Sequence, residues 1–346
     1  RQKLEEAKIN VASQVGKVQI IDYARVPNQS SINQNRTLLM GIVFGIVASI
    51  CFIVFVEFSD NTIKTSTDVE RNNLTVLGII PSIGIEGNLK QNKIFGLNNL
   101  FSRNKSLRGG IKRRLITKED PRSPVSEAYR SLRTSMLYTG IDKKTSSILV
   151  SSAGPGEGKT TTVANMAITY ANLGKKTLLI DTDLRRPVVH KIMNLEKEPG
   201  ITNYLAGNID TFNDLVKPTD IQNLFAVTSG IIPPNPSELL GSKKMSDLIN
   251  HLEKEWDMIL FDSPPLVAVT DATMVSKAID CIVIVVKVGQ TDRKAFEHTI
   301  QSLRNVNAPI HGVVLNAVTH KNSYGSYYYY YQYYNYYGSE KENQNS

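Results

Sequence analysis

Ser152-Ala153-Gly154-Pro155-Gly156-Glu157-Gly158-Lys159-Thr160-Thr161 follows the apolar run Ile148-Leu149-Val150 and opens a helix-length segment. Glycines at 154, 156 and 158 let successive backbone N–H groups curl around an anion, and a helix N-terminus adds its dipole. Strand, glycine turn, Lys-Thr and helix in that order form the G-x-x-x-x-G-K-[ST] phosphate loop, with Ala153 where the first glycine is expected. Gly154, Pro155, Gly156, Glu157, Gly158, Lys159, Thr160 and Thr161 are therefore the candidate nucleotide-binding residues. Lys159 brings a point charge to the β- and γ-phosphate oxygens, and Thr160 offers its hydroxyl to Mg²⁺.

Apolar runs at Thr177–Ile180, Leu224–Val227, Met258–Phe261, Cys281–Val288 and His311–Leu315 alternate with helix-length amphipathic segments such as Asp292–Asn305. That alternation predicts an α/β fold, a P-loop NTPase parallel sheet with helices on both faces. Leu178-Leu179-Ile180-Asp181-Thr182-Asp183-Leu184-Arg185 puts two carboxylates at the end of one strand, and Met258-Ile259-Leu260-Phe261-Asp262 puts a third at the end of another. Ligands of open parallel sheets bind at that edge. Hydrated Mg²⁺ takes oxygen ligands and few protein ones, so Thr160, Asp183 and Asp262 are the candidate metal set. A carboxylate must also orient or accept an incoming hydroxyl proton, and Asp181 is assigned that role. Lys159, Asp181 and Asp183 are thus the candidate catalytic residues.

N-terminal to this region, Thr37–Val56 is uncharged and bounded by Arg36 and Glu57. Twenty residues at ~1.5 Å each span ~30 Å, a hydrocarbon core, so residues 37–57 read as a transmembrane helix. The net charge of +8 could suggest nucleic acid, but ten of the 40 basic residues fall between Lys90 and Arg122, soon after that helix. Such a cluster fits a cytoplasmic membrane surface better than a nucleic-acid partner, and it orients the C-terminal part inward. Residues 58–122 are polar and basic apart from the largely apolar patch Val76–Ile85, and read as a cytoplasmic juxtamembrane linker. Residues 1–36 read as the last piece of an external domain. The chain opens on Arg1 and not Met, which suggests that it continues a longer protein. Cys51 and Cys281 have no metal spacing and form no disulfide framework.

Ser123-Pro124-Val125-Ser126-Glu127-Ala128-Tyr129-Arg130-Ser131-Leu132-Arg133 begins with an N-cap serine and Pro at the first helical position. Glu127, Arg130 and Arg133 then share a broad helix face, where they can meet a neighbouring subunit or pair within the helix. Ten of the 15 tyrosines lie in the tail, at Tyr324, Tyr327, Tyr328, Tyr329, Tyr330, Tyr331, Tyr333, Tyr334, Tyr336 and Tyr337. With Gly, Ser, Asn and Gln between the rings and no aliphatic residue, this stretch cannot build a core. Beside a phosphate-transfer site it becomes a flexible set of acceptor hydroxyls.

Taken together, these motifs resemble the bacterial tyrosine kinase family, a P-loop group similar to the MinD/ParA ATPases. The resemblance covers roughly residues 120–338. It implies a domain using ATP and Mg²⁺ over residues 123–320, with a tyrosine-rich tail over 321–346 as its own substrate. It implies that the segment around Asp181, Asp183 and Arg185 supplies the catalytic aspartate, with Arg185 at the nucleotide. Glu127, Arg130 and Arg133 match the family's E-x-x-R-x-x-R element, which implies a homo-oligomeric ring, an octamer, whose members phosphorylate each other's tails. The pre-membrane segment resembles the end of a polysaccharide co-polymerase, or chain-length determinant, domain. In such relatives the segment after the second membrane helix activates the kinase domain. The implied setting is the bacterial cell membrane, with the kinase domain cytoplasmic. The implied process is capsular or exopolysaccharide synthesis and export, with polysaccharide-synthesis enzymes as substrates and an opposing tyrosine phosphatase as a partner. A MinD/ParA-type ATPase switch and a non-catalytic co-polymerase scaffold are the alternatives. The first usually carries another lysine early in the loop, where this chain has Ser151-Ser152-Ala153-Gly154.

Overall fold

The computed structural model describes residues 2–14, 34–82, 115–139, 145–266 and 271–319. The chain divides into two units, 1–60 and 61–346. The first unit holds helices α1 (Gln2–Gln14) and α2 (Gln34–Ser59). At ~1.5 Å per residue the 26 residues of α2 extend ~39 Å. It is long and apolar enough to cross a membrane, and Leu38, Phe44, Phe52 and Phe55 all lie exposed on it. A helix satisfies its own backbone groups, which is what hydrocarbon requires of a spanning segment.

The second unit is built on one eight-stranded sheet. Its strands are β1 (Val76–Pro81), β2 (Ser147–Ser152), β3 (Thr177–Asp181), β4 (Lys217–Pro218), β5 (Leu224–Val227), β6 (Met258–Asp262), β7 (Cys281–Lys287) and β8 (Ile310–Val318). Their order is β1-β8-β7-β2-β6-β3-β5-β4, and every pairing is parallel except β4 with β5. The helices are α3 (Ser66–Glu70), α4 (Ile116–Glu119), α5 (Pro124–Thr139), α6 (Lys159–Ala171), α7 (Val189–Ile192), α8 (Ile201–Leu205), α9 (Pro236–Leu240), α10 (Lys243–Glu255), α11 (Asp271–Ser276) and α12 (Arg293–Asn305).

Strand side chains alternate between two cores, as a period of two demands. Leu149, Ile180, Ile259, Phe261, Ile282 and Ile284 pack with Leu248 and Leu252 of α10 and Phe296 and Ile300 of α12. Ile148, Val150, Leu179, Leu260, Val283 and Val285 pack with Tyr129 and Leu132 of α5 and Val163 and Met166 of α6. Helices therefore cover both faces, as the alternation of apolar runs predicts. Asp292 N-caps α12 by accepting the Ala295 N–H at 2.9 Å. Ser123 does the same for α5, accepting the Ser126 N–H at 3.2 Å.

The linker expected over 58–122 is in part a piece of this unit. The patch Val76–Ile85 supplies β1, an edge strand paired in parallel with β8. Ahead of it, Ile63 is fully buried in the main core, and its N–H donates to Thr291 O at 2.9 Å. Asp68 is pinned by the Lys64 and Thr65 N–H groups, both at 3.1 Å, and by Arg293 at 2.7 Å. The polar residues around the patch hide the strand in the sequence, because they satisfy turns and ion pairs at the sheet edge. α4 also lies within the expected linker, and the Thr117 N–H and hydroxyl donate to Asn165 Oδ1 on α6 at 3.1 and 2.8 Å. Residues 83–114 lie outside the described residues. A Cβ on Gly312 of β8 would fall 2.5 Å from Thr75 O and 2.7 Å from Leu77 Cγ. Gly312→Ala is therefore expected to lower stability by ~1–3 kcal/mol, through overpacking where β1 docks, as measured by denaturant unfolding.

Candidate active site

Three adjacent strands, β2, β6 and β3, bring the predicted residues to one edge. Because they run parallel, their C-terminal ends coincide, and Asp181 and Asp262 are direct register partners. The phosphate loop leaves β2 beside them. Gly158 takes φ +96° as the N-cap of α6, and a Cβ there would lie 2.1 Å from Asn316 Nδ2, so only glycine fits. Ala153, at the position of the expected first glycine, is fully buried in the core beneath the loop.

Lys159, the first residue of α6, lies among the carboxylates. Its Nζ is 2.7 Å from Asp183 Oδ2, 3.8 Å from Asp262 Oδ1 and 3.4 Å from Thr160 Oγ1. Burial disfavours the ammonium, but Asp262 and Asp183 outweigh it and hold its pKa above the ordinary lysine value. Asp183 Oδ1 accepts the Arg186 N–H at 3.0 Å. Asp181 is fully buried, with Oδ1 accepting from Asp183 N at 3.2 Å and Oδ2 from Val188 N and Val189 N at 3.2 and 3.1 Å. Burial, with Asp262 and Asp183 close by, raises its carboxyl well above the ordinary range.

Asp262 is also fully buried, and among the described residues neither side-chain oxygen has a hydrogen-bond partner. Its backbone carbonyl accepts the Thr182 N–H at 2.8 Å and the Thr182 hydroxyl at 2.6 Å, which locks β6 to β3. Burial pushes its carboxyl up to about 6 against the pull of Lys159. The folded chain thus favours the neutral acid, so this group supports stability at low pH and the contribution is lost as pH rises through about 6. Metal binding needs the ionised form. Proton and metal therefore compete for this carboxylate, and the affinity of the nucleotide-free chain for Mg²⁺ is expected to weaken as pH falls through about 6, read by metal titration across a pH series.

Buried Asp262 oxygens without a hydrogen bond among the described residues, 3.8 Å from the Lys159 ammonium and near the Thr160 hydroxyl, suit a hydrated Mg²⁺ that takes its other ligands from water and phosphate. Among the described residues, no group of three His, Cys, Asp or Glu side chains could hold a metal alone. Arg185, predicted at the nucleotide, is exposed, with Nη2 3.5 Å from Ser237 Oγ of α9. Glu157 is buried in the loop, where burial raises its carboxyl and the Thr291 hydroxyl, donating to Oε1 at 2.8 Å, opposes the rise. Asn316 Nδ2 donates to Glu157 O at 2.8 Å. Sequence reasoning passed over Thr291, Asn316 and Thr182. Only Thr182, between two predicted carboxylates, carried a local signal.

On α5, Arg130 pairs with Glu127 within the helix and donates to Pro121 O. Arg133 turns the other way, its Nη1 donating to Thr169 O near the C-terminus of α6 at 2.6 Å. In the single chain the three charges therefore do not form one outward face. The ten tail tyrosines lie outside the described residues.

A family profile described as an AAA domain matches residues 145–311. The tyrosine-protein kinase YwqD of Bacillus subtilis (strain 168) is 38% identical over 206 residues, covering 60% of this chain and 86% of YwqD. The putative tyrosine-protein kinase AmsA of Erwinia amylovora is 32% identical over 324 residues, 93% of this chain but 44% of AmsA, so the chain spans under half of that relative. The solved kinase domain of Escherichia coli tyrosine kinase ETK is similar with a TM-score of 0.65 at 26% identity, covering 76% of this chain and 98% of that one.

Proposed function

This chain belongs to the bacterial tyrosine-protein kinase family, and on that premise we propose that it transfers the γ-phosphoryl of ATP to tyrosine hydroxyls, including its own C-terminal cluster on a neighbouring copy. The observation that carries the reading is the meeting of the phosphate loop, Lys159 and three carboxylates at one strand edge. Bound triphosphate gives Lys159 a stronger anion than Asp183, so the ammonium moves to the β- and γ-oxygens and frees Asp183. The tyrosine oxygen then bonds to the γ-phosphorus, the bond from that phosphorus to the β-phosphate oxygen breaks, and the phenolic proton passes to Asp183. Little covalent work falls to the protein, whose contribution is position and charge neutralisation.

This assignment gives Asp183, expected from the sequence at the metal, the proton-accepting role expected of Asp181. Asp181 was the expected proton acceptor; three backbone N–H groups hold its carboxylate, one on Oδ1 and two on Oδ2, which favours for it the part of shaping the loop 182–189. Thr160 and Asp262 are left to hold Mg²⁺, which neutralises phosphate charge when bound. Gly154, Pro155, Gly156, Gly158 and Thr161 line the cradle, and Arg185 reaches the nucleotide from the exposed side. Glu127 and Arg130 face a neighbouring copy in a ring, while Arg133 ties their helix to α6. α2 holds the chain in the membrane with the kinase domain cytoplasmic. Residues 61–82 act as the activating segment by packing on the catalytic unit. Capsular or exopolysaccharide synthesis, with an opposing phosphatase and synthesis enzymes as further substrates, follows from the family resemblance.

Incubation of the chain with ATP and Mg²⁺, followed by phosphotyrosine mapping by mass spectrometry, tests the reading. Label on Tyr324–Tyr337 is expected, and an inactive copy should be labelled when mixed with an active one. ATP hydrolysis without phosphotyrosine would instead make the chain a switch ATPase, and nucleotide-dependent assembly without turnover a scaffold.

A further inference from the structure

We propose that Thr291 is a positioning residue for the phosphate loop, holding the Glu157 carboxylate out of the anion cradle and tying the loop to the segment that follows α2 in the chain. The inference rests on the loop binding ATP. Thr291 is buried, its Oγ1 accepts the Lys287 N–H at 2.9 Å, and its own hydroxyl proton is therefore directed to Glu157 Oε1 at 2.8 Å. Its backbone is held as firmly. Thr291 N donates to Lys287 O at 3.0 Å, and Thr291 O accepts from Ile63 N at 2.9 Å. Beside it, Gly289 N donates to Ile63 O at 2.8 Å and Arg293 N to Asn61 O at 2.9 Å.

Glu157 has reason to need such a hold. A Cβ on Gly154 would lie 3.1 Å from Glu157 Oε1, so the side chain folds back across its own loop. Backbone N–H groups of Gly154 and Ala153 already bond that carboxylate, and released from Thr291 it would turn to the N–H groups further along the loop, the donors a triphosphate requires. It would compete with the nucleotide as an internal anion. Thr291 is thus matched to the glutamate in the loop, and through Ile63 the shape of the cradle depends on residues 61–63 remaining docked.

The test uses the full chain with a fluorescent ATP analogue for affinity, steady-state kinetics for the split between KM and kcat, and thermal melting. Thr291→Val removes a hydrogen bond to a charged group and is expected to weaken nucleotide affinity and raise KM for ATP about tenfold, with kcat much less affected. Thr291→Ser keeps the hydroxyl and is expected to restore the parent affinity. Adding Glu157→Gln to Thr291→Val removes the competing charge and is expected to recover most of the loss. Parent-like affinity in Thr291→Val overturns the proposal, as does failure of the serine to rescue, or an affinity that only follows Tm through the series. Affinity is read from binding of the analogue and not from transfer to tyrosine, so absent phosphotyrosine would defeat the kinase reading and leave this series interpretable.

Discussion

Lys159→Met is expected to lower tyrosine phosphorylation by at least ~100-fold, about 2.7 kcal/mol of transition-state stabilisation. The methionine keeps the buried stem and removes only the charge. That charge has two duties. On the proposed mechanism it stabilises the phosphoryl oxygens during transfer once nucleotide is bound. Without nucleotide it sits 2.7 Å from Asp183 and 3.8 Å from Asp262 and offsets part of the cost of three buried carboxylates. The variant should therefore also bind protons more readily at the site, moving its stability maximum to lower pH. The exposed Lys118, paired with Asp220 at the surface, gives the contrast: Lys118→Met should leave the rate near the parent value. Rates from a quantitative phosphotyrosine assay decide the matter, and a Lys159→Met chain within tenfold of the parent would remove this lysine from the mechanism.

The second large effect separates the two aspartates after β3. Asp183→Asn keeps the shape of the side chain but cannot take a proton, so kcat is expected to drop by ~10²–10⁴, with some loss of Tm from weakening the buried pair with Lys159. Asp181→Ala leaves the N–H groups of Asp183, Val188 and Val189 without their acceptor. Buried unpaired donors cost ~1–3 kcal/mol each, so Tm should fall by on the order of 10 °C, and activity with it. Paired melting and rate measurements distinguish the roles. If Asp181→Ala melts like the parent while losing its rate, Asp181 is the proton acceptor after all.

The central strands and the phosphate loop were legible because their signals are local. Each of β2, β3, β5, β6 and β7 is built around an unbroken apolar run, as suits strands buried on both faces, and the glycine turn follows one such run and opens a helix. β1 was not legible as a strand. It is an edge strand of mixed burial set among polar residues, and only its partner β8 identifies it. The site divides in the same way. Lys159 and the three strand-end carboxylates announce themselves, whereas Thr291 and Asn316 reach Glu157 from across 134 and 159 residues of chain. Spacing placed Glu127, Arg130 and Arg133 on one side of a helix, but it could not show that Arg133 would find a free carbonyl near the end of α6.

β1 closes the sheet at its outer side, and the connection 83–114 separates it from the rest of the domain. With β1 as the outermost strand, its undocking would pass the open edge of the sheet to β8.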